Sequence, residues 1–349
     1  MKESQIKALA EGGLYQRKVL HGTLEETHIS WIILTSRFAF KIKKPLKFSF
    51  LDFSTLARRK KYCARELVLN RRFSNIYLAV VPLRYHGLKR LWYIGKGPGT
   101  IIDYAVVMKR MRSSKRMDAV LRSGQLTDSN VLALAKCVGL FHAGAKAVTS
   151  PFSLERSRDN FNDIRDIRRF VKRTLPEAYE SIVTNAILWS NQFLTQHALR
   201  LQERIALGFK RDVHGDLHSG NIFLYRRPVI FDCIEFNDAY RQIDVLDEIA
   251  FLCMDLESFG QAKYSALFIK EYSRIFPCFF TPEDINIFNY FKCYRANVRA
   301  KVHALATEEE DDPVRYAGHV SAVKKYLQLM KKYIGDSWVK KNMAELLPP

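Results

Sequence analysis

His214-Gly215-Asp216-Leu217-His218-Ser219-Gly220-Asn221 is the stretch from which this chain is best read. Asp216 stands two residues after one imidazole and two before another, and the carboxamide of Asn221 follows five residues later. Downstream, residues 221–224 and 229–231 read as two short β segments joined through Tyr225-Arg226-Arg227-Pro228, a hairpin that ends on Asp232. Phosphoryl transfer asks a protein for few parts: a carboxylate near the attacking hydroxyl, one or two oxygen ligands for Mg2+, and a cation on the phosphates. Asp216, Asn221 and Asp232 offer the first two in chain order, with the hard oxygen donors that Mg2+ takes. Loop and hairpin are expected to bring the three to one cleft wall.

Upstream, His28-Ile29-Ser30-Trp31-Ile32-Ile33-Leu34 and Phe38-Ala39-Phe40-Lys41-Ile42-Lys43 read as two strands around a Thr35-Ser36-Arg37 turn. Pro45 stops the second strand. Asp52 or Ser54 is placed to cap a helix running to Arg72, with Leu56, Tyr62, Cys63, Leu67 and Leu69 as its apolar side. Further strands are expected at 76–83 and 101–111. Helices are expected at 128–147, 161–174, 184–197, 247–259, 261–275, 282–306 and 319–334, and the acidic run 308–312 reads as a solvated loop. The order predicts an α+β fold of two lobes: residues 1–111 as a small sheet with one main helix, and residues 112–349 as a larger, mainly helical part.

Period-two alternation puts Ala39, Lys41 and Lys43 on one strand face and Phe38, Phe40 and Ile42 on the other. A small residue at 39 leaves room for adenine, and either Lys41 or Lys43 can reach phosphates. Glu66, nearly the only acid on its basic helix, is the expected ion-pair partner of Lys41.

Composition bounds the rest. The 349 residues are 48% hydrophobic and 26% charged, an ordinary globular balance. No stretch of about 18 uncharged apolar residues occurs, and the start of the chain does not read as a signal peptide, so the expectation is a cytoplasmic protein with no membrane span. Six scattered cysteines form no metal-binding spacing. The net charge is +20, and residues 1–117 hold 25 Lys and Arg against 7 Asp and Glu, a net of +18 that leaves +2 for the rest. A basic N-terminal lobe favours an anionic partner such as nucleic acid, or is simply a solvated surface.

The segment 214–221, followed by Ile230-Phe231-Asp232-Cys233-Ile234-Glu235-Phe236, resembles the catalytic and metal loops of the aminoglycoside phosphotransferase and choline kinase branch of the protein-kinase-like superfamily. More narrowly, Glu26-Thr27-His28-Ile29-Ser30-Trp31 and Phe48-Ser49-Phe50-Leu51-Asp52-Phe53-Ser54 resemble an uncharacterised bacterial aminoglycoside phosphotransferase-like, ATP-binding group. Many members of that group carry an additional C-terminal P-loop domain, and the expectation from these 349 residues is a relative without one. The resemblance spans roughly residues 20–260. It implies Asp216 as catalytic base, His218 facing the transferring phosphate, and Asn221 and Asp232 as Mg2+ ligands. Phe38-Ala39-Phe40-Lys41 resembles the kinase V-A-I-K strand. By position, Thr27, His28 and Ser30 would cover the phosphates of ATP, while Met108 and Arg110 lie in the connector that would offer backbone groups to adenine. Arg241-Gln242-Ile243-Asp244-Val245-Leu246-Asp247 fits a pattern in which an Asp, here best Asp247, supports the catalytic loop. The implied activity is transfer of the γ-phosphoryl group to a hydroxyl of an unidentified, small-molecule acceptor. A helical half near neutral charge suits polycationic aminoglycosides poorly. The alternatives are a protein kinase and a catalytically silent binding protein.

Overall fold

A computed structural model of the chain describes residues 1–48, 51–308 and 310–335. Ser49 and Phe50 of the second family motif, and Glu309 of the acidic run, lie outside the described residues. The chain divides into two compact units, Met1–Arg116 with Val229–Tyr240, and Met117–Pro228 with the chain from Arg241 onward.

The first unit opens with α1 (Glu3–Gly12), which sequence periodicity did not reveal. Then follow β1 (Leu14–Tyr15), β2 (Lys18–Val19), β3 (Thr23–Glu26), β4 (Ser30–Leu34), β5 (Phe38–Lys43), α2 (Leu56–Asn70), β6 (Tyr77–His86), β7 (Leu91–Ile94) and β8 (Thr100–Lys109). They form one eight-stranded sheet in the order β2-β1-β7-β6-β8-β5-β4-β3. The expected turn at 35–37 joins β4 to β5, where Thr35 Oγ1 donates to the Phe38 carbonyl and accepts its N–H, both at 3.0 Å. Strand alternation sorts β5 as expected. Phe40 and Ile42 join Trp31, Ile33 and the α1 residues Ile6 and Leu9 in one core, while Ala39 packs with Cys63, Tyr77, Val106 and Met108 on the other face.

Helix α2 corrects the expectation drawn from its apolar residues. Its buried positions are Arg59, Cys63, Glu66 and Asn70, spaced on one helical face; of the expected apolar side Cys63 is buried with Leu67 packed against its cluster, Tyr62 and Leu69 are half-buried, and Leu56 is exposed. This face is held by polar bonds. Arg59 Nε meets both Asp103 oxygens at 2.9 and 3.0 Å, and its Nη1 donates to the Phe53 carbonyl at 2.9 Å. The cap is neither Asp52 nor Ser54. Thr55 Oγ1 accepts the Arg58 N–H at 3.2 Å, and Asp52 instead accepts from the Ser54 N–H and hydroxyl.

The second unit is helical: α3 (Met117–Arg122), α4 (Asp128–Gly144), α5 (Leu154–Asn162), α6 (Arg168–Thr174), α7 (Ala178–Gln196), α8 (Ala198–Ala206), α9 (Val245–Ser258), α10 (Ala262–Ile275), α11 (Pro282–Ala306) and α12 (Pro313–Gly335). The helix expected at 161–174 is broken by a 3-10 turn at Asp163–Ile167, and α7 starts six residues before its expected position. The 282–306 helix matches its expected bounds because Asp284 Oδ2 accepts the Thr281 N–H at 3.0 Å and Pro282 sits in the first turn. β9 (Lys210–Asp212) pairs antiparallel with β10 (Gln242–Asp244), framing the 214–221 loop in the chain. Every residue of α9 from Val245 to Leu256 is buried, which makes this helix the centre of the unit. Fully buried Arg204 ties α8 to Asp244 and Asp284, each at 2.8 Å. Among the described residues, no helix is long and apolar enough to cross a membrane, and all six cysteines are free.

Thr55→Ala removes the α2 cap and should lower stability by about 1 kcal/mol. The same substitution at Ser54 should cost measurably less, as read from urea unfolding midpoints.

Candidate active site

In the first unit, β5 delivers Lys41 and Lys43 from one strand face into a fully buried Glu66 of α2. Lys41 Nζ lies 2.9 Å from Glu66 Oε1, and Lys43 Nζ 2.7 Å from Oε2. The expected Lys41–Glu66 pair is therefore formed, and Lys43 shares the same carboxylate. Each lysine has a second acid: Lys41 pairs with Asp232, and Lys43 with Glu235. Glu235 was not singled out by sequence reasoning, although it lies three residues beyond Asp232. Burial alone would neutralise Glu66, but the two ammonium groups outweigh it and hold its pKa down to about 2. Burial pushes Glu235 upward, and the neighbouring Glu66 adds to this against the pull of Lys43.

Asp232 occupies the left-handed backbone region at φ +65°, a conformation that costs a side-chain-bearing residue energy and recurs at functional positions. Its N–H donates to the Tyr77 hydroxyl at 2.9 Å, and the next N–H, of Cys233, donates to Asn70 Oδ1 at 2.9 Å. Asn70 closes the arrangement by donating to the Glu66 carbonyl at 3.0 Å. Three carboxylates thus face two lysines, and among the described residues no group of three or more His, Cys, Asp or Glu is arranged to hold a metal ion.

The other expected nucleotide residues distribute unevenly. Ala39 stands opposite Met108 in the β5–β8 pairing, and the Arg110 N–H donates to the Arg37 carbonyl at 2.8 Å. The 27–29 segment joins β3 to β4, where Thr27 Oγ1 donates to the Ser30 carbonyl at 3.1 Å and accepts its N–H at 3.0 Å. Thr27 and His28 are exposed. Ser30 is fully buried, and its hydroxyl has no hydrogen-bond partner, so this side chain is not displayed at the loop surface.

In the second unit, the 214–221 loop is built around Asp216. Gly215 takes φ +87°, which glycine adopts without a Cβ penalty. Asn221 Nδ2 donates to Asp216 Oδ2 at 2.8 Å and to its carbonyl at 3.0 Å, so the side-chain oxygen is the atom Asn221 could offer to a cation. His218 Nδ1 accepts the Gly220 N–H at 3.1 Å, so its proton resides on Nε2, 3.4 Å from Asp216 Oδ2. Enclosure by protein would raise the Asp216 pKa, but the neighbouring His218 and His214 imidazoles and the Arg299 guanidinium prevail and hold it well below the usual carboxylate range. His214 packs the loop as expected: it is fully buried, and its Nδ1 accepts the Asp216 N–H at 3.3 Å.

The groups that hold this loop differ from the one expected. Glu248 accepts the His214 and Gly215 N–H groups, both at 2.8 Å. Asp255 accepts the Ser219 N–H at 2.8 Å. Burial works against the Glu248 charge, yet the facing imidazoles of His142 and His214 keep its pKa lowered. Asp247 acts indirectly, through Arg295 at 2.6 Å, whose Nη1 donates to the Gly215 carbonyl at 3.1 Å. The helix cap is Asp244, which accepts the Leu246 N–H at 2.8 Å. Neither Glu248 nor Asp255 carries a sequence signal beyond being an acid on an apolar helix.

The chain matches no protein-family model. Its curated relatives include uncharacterised proteins of Mycobacterium tuberculosis and Mycobacterium bovis, 28% identical over 292 residues, covering 81% of this chain and 54% of theirs. The chain therefore spans about half the length of the curated relatives it matches. Among solved structures, a choline/ethanolamine kinase family protein from Mesorhizobium loti aligns over 99% of both chains at 13% identity, with a TM-score of 0.54. The fold is shared with the choline kinases and aminoglycoside phosphotransferases. A choline kinase from Cryptosporidium parvum (TM-score 0.52, 13% identity, 92% of this chain and 93% of that one) has the same protein-kinase-like α+β fold. So does a GDP complex of aminoglycoside 2'-phosphotransferase-IIIa (TM-score 0.51, 12% identity, 88% and 92%).

Glu66 supplies a pH test. Its native pKa lies below the unfolded value of 4.5, so its contribution, about 3 kcal/mol, is fully present above the unfolded value and disappears as pH falls toward 2. Urea unfolding at a series of pH values should show Glu66→Gln less stable at pH 7 and with a flatter acid limb than wild type. Identical acid limbs would contradict a charged Glu66 bridge.

Proposed function

We propose that the chain is a Mg2+- and ATP-dependent phosphotransferase that moves the γ-phosphoryl group to a hydroxyl of a small molecule. The observation that carries this reading is Asp216, a carboxylate held ionised on a glycine-turned loop between the Nε2–H of His218 and the amide of Asn221. Asp216 accepts the acceptor's hydroxyl proton as the acceptor oxygen bonds to the γ-phosphorus. The bond from that phosphorus to the bridging oxygen breaks, and ADP leaves with the electron pair. His218 donates from Nε2 to a phosphate oxygen.

Lys41, oriented by Glu66, holds the α- and β-phosphates, and Lys43 with Glu235 keeps that carboxylate in place. Ala39, Met108 and Arg110 belong to the adenine side, and the segment bearing Thr27, His28 and Ser30 covers the phosphates. Asn221 and Asp232 would each offer an oxygen to Mg2+, which when bound would neutralise charge on the triphosphate. Residues 1–111 act as the nucleotide-binding part and residues 112–349 as the catalytic and acceptor-binding part. The shared fold of small-molecule kinases supports a small acceptor over a protein one.

Coupled ADP-release assays with Mg2+-ATP and an acceptor panel test this. Asp216→Ala should lower kcat by about 100-fold or more while ATP binding is retained, and Lys41→Met should weaken ATP binding. Nucleotide binding without turnover under every acceptor would favour a silent binding protein, and phosphate on protein side chains would favour a protein kinase.

A further inference from the structure

The surroundings of the catalytic loop in the second unit indicate what charge the acceptor carries. Arg295, Arg299 and His303 recur every fourth residue along α11, so they share one face at steps of about 6 Å. Arg295 fixes this face to the loop through the Gly215 carbonyl and lies 4.9 Å over the Phe251 ring, whose other neighbour is the His218 ring at 5.3 Å.

The acids beside these cations are already engaged. Asp247 pairs with Arg295, Glu257 pairs with Lys292 at 3.0 Å, and Asp255 accepts the Ser219 N–H. Arg299, one turn beyond Arg295, is left differently. Its Nε is buried without a hydrogen-bond partner, and among the described residues neither Arg299 nor Lys325 forms an ion pair. Lys325 Nζ reaches only the Ser258 hydroxyl at 3.4 Å, and both cations lie against the Tyr326 ring, at 5.7 and 4.9 Å.

The hydrogen bonds running outward from Arg299 have a fixed direction. A guanidinium can only donate, so the 3.2 Å contact from Nη2 makes His303 Nε2 an acceptor and places the His303 proton on Nδ1. That proton is donated to His319 Nδ1 at 2.9 Å. His303 also stacks on Tyr326. The relay and the Tyr326 hydroxyl orient Arg299 and leave its Nε without a partner. Burial and the like charge of Arg299 depress Lys325, with Asp255 opposing. Asp255 faces both cations and Asp216 faces Arg299, but among the described residues neither acid lies within ion-pairing distance of them.

We propose that Arg299 and Lys325 form the anion-binding part of the acceptor site, and that the acceptor is a small hydroxylated organic anion, a phosphorylated or carboxylated alcohol. This rests on the phosphotransferase reading and adds the charge of the substrate to it. It sets the chain apart from neighbours whose names specify choline, ethanolamine or aminoglycosides, all of which are cations.

The test measures binding calorimetrically on the whole chain saturated with Mg2+ and a non-hydrolysable ATP analogue, so that anions cannot report on the nucleotide site. Glycerol 3-phosphate and glycerate are the anionic probes, and choline and ethanolamine the cationic ones. At least one anion should bind where the cations do not, and preference between the two assigns phosphate or carboxylate. Arg299→Gln and Lys325→Gln should each weaken that binding about tenfold or more while analogue binding stays unchanged. Lys325 is partly exposed, so its substitution remains informative if Arg299→Gln unfolds. Cation binding in preference to anions, no anion binding, or anion binding indifferent to both substitutions would overturn the proposal. Failure of the analogue itself to bind would instead sink the phosphotransferase reading.

Discussion

A carboxylate with no exposed surface must be matched by positive charge, and Glu66 is matched twice, by Lys41 and Lys43. Desolvating three charges is costly, and removing one partner of such a cluster typically costs about 3–5 kcal/mol. The first unit is organised around meeting that requirement. β5 alternates so that two lysines share a face, α2 turns a polar face inward, and Asn70 links Glu66 to the backbone that carries Asp232. The strained backbone of Asp232 is tolerated because its own N–H and that of Cys233 are both held. A charge cluster of this kind fixes the geometry of its own side chains more than it stabilises the fold.

The second unit solves a related problem with backbone donors. The N–H groups of His214, Gly215 and Ser219 point inward, where an unpaired donor costs about 1–3 kcal/mol. Glu248 and Asp255, both on the fully buried α9, accept them. The loop is therefore fixed by its backbone, and the side chains of Asp216, His218 and Asn221 are left to interact with each other. Such positioning from a rigid helix is what a reaction based on orientation and electrostatics requires.

Local patterns disclosed much of this. The loop at 214–221, the strand carrying Lys41 and the acid at Glu66 were legible because each is a short pattern with a chemical meaning. Glu248 and Asp255 were not, since they meet the loop across 34 and 36 residues and look like ordinary acids on an apolar helix. The inward face of α2 was misjudged for a physical reason: hydrophobic periodicity assumes that buried means apolar, and here the buried face is matched by charge. α1 escaped notice because only Ile6, Leu9 and Ala10 of its ten residues are buried. The excess positive charge of the first unit is also partly internal, since Lys41, Lys43 and Arg59 are buried in ion pairs.

The most direct measurement follows the phosphoryl group itself. ATP labelled with 18O at its γ-phosphate is incubated with the protein, Mg2+ and a metabolite extract, and the products are resolved by mass spectrometry. The account predicts a labelled phosphate ester of a small hydroxyl compound, formed with wild type and absent with Asp216→Ala. Label confined to ATP, or found on the products of wild type and Asp216→Ala alike, would contradict it.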